Sequence, residues 1–375
     1  MLATGTSAAS DKDLSTTRTR MMRADRGALL TYLCILAYAS LNPFFGWRWP
    51  EAFTLFALPR YVIAFDVLIN IAAYAPLGAM LASVLRHRAQ ARVLKLADSV
   101  QFWCVTLAAC ASVSLCLEIM QAFLPGRVSS FFDLLANTFG AGFGAALVLA
   151  APGRLLIAAW QQWRHRHFSA GDLTGWGLIL LALWITAQLN PAIPFFEAGH
   201  IANPIVAGSA NPYVPPVLLP QAVGIMFNVC GFVLFVALLL PPNRAVMLTV
   251  LSLLAVSVTL KIAMAAMMLK EPQIIDWMAP ARIIGLTSGL LLAACFVRLG
   301  FRWRAFWATL FVFAGGLMVK ITSIYGAFDE TLRMFYWPHG QLVNFASLTR
   351  WINEIWPLLA VIFLATLFVT RHEPQ

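Results

Sequence analysis

Glu118, Gln121, Asp133 and Asn137 fall in one stretch, Leu117 to Gly144, that joins two long apolar segments. Glu118 and Gln121 are three apart and Asp133 and Asn137 four apart, so each pair shares one face of a helix. Asp66 and Asn70 repeat the four-residue spacing one segment earlier, and Arg127 sits in the turn Leu124-Pro125-Gly126-Arg127. These residue types offer three chemistries. Glu118 or Asp133 are candidate catalytic residues, as general acid or base. The Arg127 guanidinium can capture an anionic group bidentately, and the amides of Asn70, Gln121 and Asn137 can orient a polar ligand around it. The same residues can also form an ion-pair and hydrogen-bond network that only staples helices together. Asp133 has a structural reading of its own, an acid at the positive end of a helix, with Ser129 or Ser130 as cap.

The elements that must position these groups are apolar helices. Of 375 residues, 61% are hydrophobic and only 11% charged, against about 25% charged in soluble domains. Backbone amides in lipid must be satisfied within their own segment, so the spans are helical and the fold class is all-α, a polytopic transmembrane bundle. Ten spans are expected at about 27–45, 61–85, 99–123, 131–151, 173–190, 219–240, 245–268, 278–298, 305–325 and 354–370. Residues 1–26 read as a disordered basic N-terminus, with Arg18, Arg20, Arg23 and Arg26 ahead of an uncleaved first span.

Most of the 26 Lys and Arg residues fall in the N-terminus, 86–98, 152–172, 241–244, 299–304 and the C-terminus, and most acids fall in the opposite segments. The cationic side is therefore expected to be cytoplasmic, with both termini there and the Glu118 region facing outward. The net charge of +10 follows from this topology and from attraction to anionic lipids, so nucleic acid is not an expected partner.

Laying the halves over each other exposes a weak repeat. Leu41-Asn42-Pro43 recurs as Leu189-Asn190-Pro191, Asn70 as Asn228, and the Glu118–Asp133 spacing as Lys261–Asp276. Gly142 then falls opposite Gly285 and Asn137 opposite Pro280. The expected organisation is a four-helix unit over 27–151, a basic linker over 152–172, a degenerate second four-helix unit over 173–298, and two further helices and a tail over 299–375. Lys261 is a possible charge partner for Glu118.

Other chemistry is scarce. No phosphate-binding loop, nucleophile elbow or His/Cys metal spacing occurs, and no cofactor is expected. The six cysteines lie singly in apolar runs and read as small buried residues. His165 and His167 flank Arg166 in a basic segment, His200 and His339 lie in outer loops, and Lys320 lies inside a span. Gly140, Gly142 and Gly144 make a small-residue helix face suited to close packing.

Taken together, Asp66-x-x-x-Asn70, Pro76-x-Gly78, Glu118-x-x-Gln121, Pro125-Gly126-Arg127, Asp133-x-x-x-Asn137 and Gly140-x-x-x-Gly144 resemble the VanZ family of membrane proteins over residues 27 to about 151. That family is named for a protein associated with low-level teicoplanin resistance, so the resemblance implies a helical fold and a cell-envelope context. The leading expectation is a non-enzymatic protein of the bacterial inner membrane. Its ligand-binding residues are Asp66, Asn70, Glu118, Gln121, Arg127, Asp133 and Asn137, and they bind the head of an envelope lipid, a lipid-linked glycan or a peptidoglycan precursor. Two alternatives stay open: an enzyme acting on a lipid-linked headgroup through Glu118, and a transporter or flippase of two parallel repeats.

Overall fold

The computed structural model describes residues 26–42, 44, 46–50, 64–88, 96–124, 129–169, 171–193, 195–196, 218–242, 245–269, 280–322 and 341–370. Those residues form eleven helices: α1 (Arg26–Leu41), α2 (Ala64–Arg88), α3 (Leu96–Gln121), α4 (Phe131–Leu149), α5 (Ala151–His167), α6 (Asp172–Gln188), α7 (Leu218–Leu239), α8 (Val246–Met268), α9 (Pro280–Phe296), α10 (Phe301–Thr322) and α11 (Gln341–Thr370). Each expected span coincides with one helix, and the eleventh helix, α5, occupies the basic linker. Six helices carry stretches long and apolar enough to cross a membrane: Val67–Arg86, Ala97–Gln121, Phe131–Leu149, Leu219–Leu239, Val246–Met268 and Phe345–Thr370. Large apolar side chains such as Phe139, Phe143, Leu248 and Leu291 point outward, which suits a bundle whose solvent is hydrocarbon.

The last helix starts well before its expected first residue. Pro357 lies inside it, and Trp351 and Glu354, expected at or before its start, lie on the helix too. A proline inside a bundle helix is tolerated because neighbouring groups satisfy the freed carbonyl.

The chain divides into two compact units, 1–166 and 167–375. In the first, α2 and α4 make the closest pair. Gly140 packs on the main chain of Ile71 and Gly144 on that of Ala75, while Gly78 meets the main chain of Ala141. A Cβ at any of the three would collide with backbone, so only glycine permits this spacing. Side chains tie the other helices on: Tyr32 Oη donates to Ala73 O at 2.8 Å and Trp103 Nε1 to Gly142 O at 2.8 Å. Arg86 Nη1 donates to Val148 O at 3.3 Å, a cation on the last turn of α4, where the helix dipole favours it.

The second unit is built around α7. The Leu219–Leu239 span is 83% buried, so this helix is surrounded by protein where the other spans are largely left to lipid. Both α9 and α10 pack along it, and α11 packs on α10 and α6. Gly285 and Gly289 of α9 lie against Ala222 and Met226, each with the carbonyl 2.7 Å from where a Cβ would be. The aromatic centre comprises Trp184 stacked on Phe232 at 4.1 Å, Phe196 against both, and Trp356 with Phe235 and Phe363.

Candidate functional site

Glu118, on the last turns of α3, is 4% exposed. A carboxylate at such a depth needs a hydrogen-bond donor, a proton or water. The donor is the Ser130 main-chain N–H, 3.0 Å from Glu118 Oε2. Ser130 is the N-cap of α4: its backbone is extended, and its Oγ accepts from the Phe132 N–H at 3.2 Å. Of the two serines expected as possible caps of α4, Ser130 fills that place, and Glu118 takes the neighbouring orphan donor at the positive end of the same helix. Asp133 lies in the first turn of α4, half-buried.

One turn along α3, Gln121 Nε2 donates to Ser40 O at 3.1 Å and so holds the end of α1. Leu41, Leu117 and Leu124 close an apolar cluster beside that bond. The segment after α1 lies over the same end of α3: the Arg48 N–H donates to Phe123 O at 2.9 Å, and the Trp49 and Phe123 rings meet edge to face at 5.2 Å. Asn137 Nδ2 donates to Ser114 Oγ at 2.9 Å, with both groups buried. The Tyr74 hydroxyl lies within hydrogen-bonding reach of Ser114 and in electrostatic contact with Glu118.

Two amides are left incomplete. Asn70 Nδ2 and Asn137 Oδ1 are buried with no hydrogen-bond partner among the described residues, as is Ser129 Oγ. Asn70 directly precedes Ile71, and Asn137 lies three residues before Gly140, which packs on the Ile71 main chain. Both amides therefore sit at one level, where α2 and α4 begin their close contact. A buried donor or acceptor without a partner costs about 1–3 kcal/mol; native proteins keep few of them.

The structure thus gathers Glu118, Gln121 and Asn137 with Asn70 around the junction of α2, α3 and α4. Arg127, His200 and His339 lie outside the described residues. So do the side chains of Asp66, in the first turn of α2, and Lys320, in α10. Lys261 of α8 belongs to the second unit, where it is fully buried; its Nζ donates to Asn190 O at 2.9 Å and lies 4.9 Å from the Phe195 ring centre.

Ser114 and Tyr74 were not singled out from the sequence. Ser114 lies four residues before Glu118 and Tyr74 four after Asn70, so the helical spacing that marked the polar pairs also pointed to them. A lone serine and tyrosine in apolar runs carried no charge to draw the eye. Among the described residues no group of His, Cys, Asp and Glu is placed to hold a metal ion.

No curated protein and no solved structure matches the chain. Residues 7–157 match the family described as VanZ/LLP1; they take in α1 to α4 and every group of this polar cluster, so this part of the chain is similar to that family, and the six long apolar helices mark a multi-pass membrane protein.

Proposed function

We propose that the α2–α3–α4 junction is an outward-facing site that binds the polar head of an envelope lipid or lipid-linked glycan, in assembly or protection of the cell envelope. The observation that carries this reading is the pair of incomplete amides. Asn70 Nδ2 offers a donor and Asn137 Oδ1 an acceptor at one level of the bundle, beside a carboxylate that is itself held in place by Ser130. A ligand with hydroxyl or amide groups would complete both. Arg127, whose sequence position is the turn between α3 and α4, would meet an anionic group of the same ligand, with Glu118, Gln121, Asp133 and Asp66 orienting it. The outward orientation is supported by the clustering of Lys and Arg in the opposite segments.

The second unit is taken in this reading as a degenerate copy of the first. Support comes from the shared glycine contact, two glycines four apart on one helix lying against two main-chain sites four apart on another, in α4 on α2 and again in α9 on α7.

The test is direct binding of labelled polyprenyl-linked glycan precursors by the purified full-length protein in lipid nanodiscs. Binding is expected in the wild type and is expected to fall at least tenfold in Asn70→Leu and in Arg127→Ala, with thermal midpoints retained. No wild-type binding, or full binding by both folded variants, would overturn the assignment.

A further inference from the structure

Helix α5 has a different character from every helix around it in the chain. Its 17 residues, APGRLLIAAWQQWRHRH, contain Arg154, Arg164 and Arg166 and no acid, and it is absent from the apolar helices fit to cross a membrane. It packs closely on no other helix of its unit. Its two tryptophans nevertheless face outward: Trp160 is 58% and Trp163 44% exposed, with their rings stacked at 5.1 Å. Two large apolar rings left outside the core need a covering phase.

Connectivity says where that phase is. The membrane-spanning α4 ends at Leu149, its C-cap Ala150 is extended, and α5 begins at the next residue. After α5 the chain passes through Phe168 to Gly171 into the apolar α6. On the way, the Ser169 N–H donates to Leu239 O at the end of the spanning α7. Both ends of α5 are thus tied to the ends of apolar helices, which holds it at the membrane–water boundary. At 100° per residue Trp160 and Trp163 mark one face, Gln161 and His165 the opposite one, and Arg164 and Arg166 flank the tryptophan face on either side. Flanking arginines beside a buried aromatic stripe are the arrangement in which cations reach headgroup phosphates while their stems stay in the acyl region.

We infer that α5 is an anionic-lipid-binding helix that lies flat in the interface, its Trp160–Trp163 face in the acyl boundary and Arg164 and Arg166 on lipid phosphates. Tryptophan supplies depth and the absence of any acid supplies charge selection. The last helix of the first unit is thereby a lipid-bound element whose seating follows the charge of the leaflet.

The probe is the emission of Trp160 and Trp163 in the full-length protein, taken as the difference between the wild type and the Trp160→Phe/Trp163→Phe variant. The protein is reconstituted in vesicles of phosphatidylcholine alone or with one-third phosphatidylglycerol, each with lipids brominated near the headgroup end of the acyl chains. The difference emission is expected to be quenched by brominated lipid and shielded from aqueous iodide, both at least twofold more with phosphatidylglycerol. An Arg164→Gln/Arg166→Gln variant, read in the same way against its own tryptophan-free partner, is expected to lose that excess. Iodide access without brominated-lipid quenching overturns the interfacial placement. Equal quenching in the two vesicle types overturns the anionic selection.

Discussion

The two units meet one problem, a hydrogen-bonding side chain near the end of their third helix, in parallel ways. In the first, Gln121 of α3 donates to the Ser40 carbonyl at the end of α1. In the second, Lys261 of α8 donates to the Asn190 carbonyl just past the end of α6. Ser40 directly precedes, and Asn190 belongs to, the recurring Leu-Asn-Pro, at helix ends where carbonyls lack intrahelical partners and a donor is favoured. Lys261 therefore fills the place of Gln121, whereas the sequence spacing set it against Glu118. The glycine contacts shift the register likewise: Gly140 and Gly144 correspond to Gly285 and Gly289, which sets Asn70 against Gln221 and Asn137 against Arg282.

The units differ in how far their asparagines are satisfied. Asn228 Nδ2 donates to Phe196 O at 2.8 Å. Asn190 Nδ2 reaches both Ala346 O and Thr349 Oγ1, and its Oδ1 takes the Ala192 N–H. Among the described residues, Gln188 Oε1 and Ser257 Oγ are two of the incomplete atoms there. In the first unit, by contrast, it is the two asparagines of the close α2–α4 contact that stay open, next to a buried acid. The contrast is between polar atoms that have partners within their own unit, at Asn190 and Asn228, and polar atoms at the α2–α4 contact that have none among the described residues.

The most damaging way to probe that comparison is to force its shared contact apart. Gly144→Leu in the first unit and Gly289→Leu in the second are both expected to abolish most folded, monodisperse protein, because overpacking costs about 1–3 kcal/mol even where side chains can yield and here the obstacle is backbone. Gly316→Ala, where the nearest atom to a Cβ is Pro357 Cβ at 3.7 Å, is the control and should leave the yield unchanged. Equal tolerance at all three would dissolve the contact.

Next in size are the two buried ions. Lys261→Met removes the shorter of two hydrogen bonds to the Asn190 carbonyl, the other coming from the Ile193 N–H, and is expected to lower stability by about 1–3 kcal/mol, read as a fall in thermal midpoint in detergent. Glu118→Gln keeps an acceptor for the Ser130 N–H and is expected to cost about 1 kcal/mol or less. A larger loss at Glu118 would mean that the acid is there to hold the helices.

Smaller, and sharper, is the asparagine contrast. Asn228→Leu loses a bond between partners of one unit and should cost about 0.6–1.7 kcal/mol, as interhelical bonds in membranes do. Asn70→Leu removes a donor that no described group meets and is expected to be neutral or slightly stabilising. Matching losses at the two positions would show Asn70 to be satisfied within the fold. The smallest effect belongs to Ser130→Ala, which removes the cap on Phe132 N–H but keeps the main-chain donor to Glu118; about 1 kcal/mol or less is expected, with ligand binding unaffected.

Hydropathy and the scarcity of charge were sufficient for the helical membrane fold and the order of the spans, because a chain in lipid must satisfy its backbone helix by helix; the VanZ resemblance rested on the ordered polar and glycine motifs of the first half. Polar residues at helical spacing were also enough to mark Asn70, Glu118, Gln121 and Asn137, since a charge or amide in an apolar run is conspicuous in one dimension. Helix α5 escaped that reading because its residues are mixed in polarity and only the exposure of Trp160 and Trp163 sets one side apart. What tertiary structure alone decided was pairing: that Glu118 takes a main-chain donor from Ser130, that Lys261 donates to its own unit's helix end, and that two asparagines each keep one buried atom with no partner among the described residues. Such pairings turn on ångström-scale distances between helices, and those distances are set by where glycines let backbones meet, a property of two helices together.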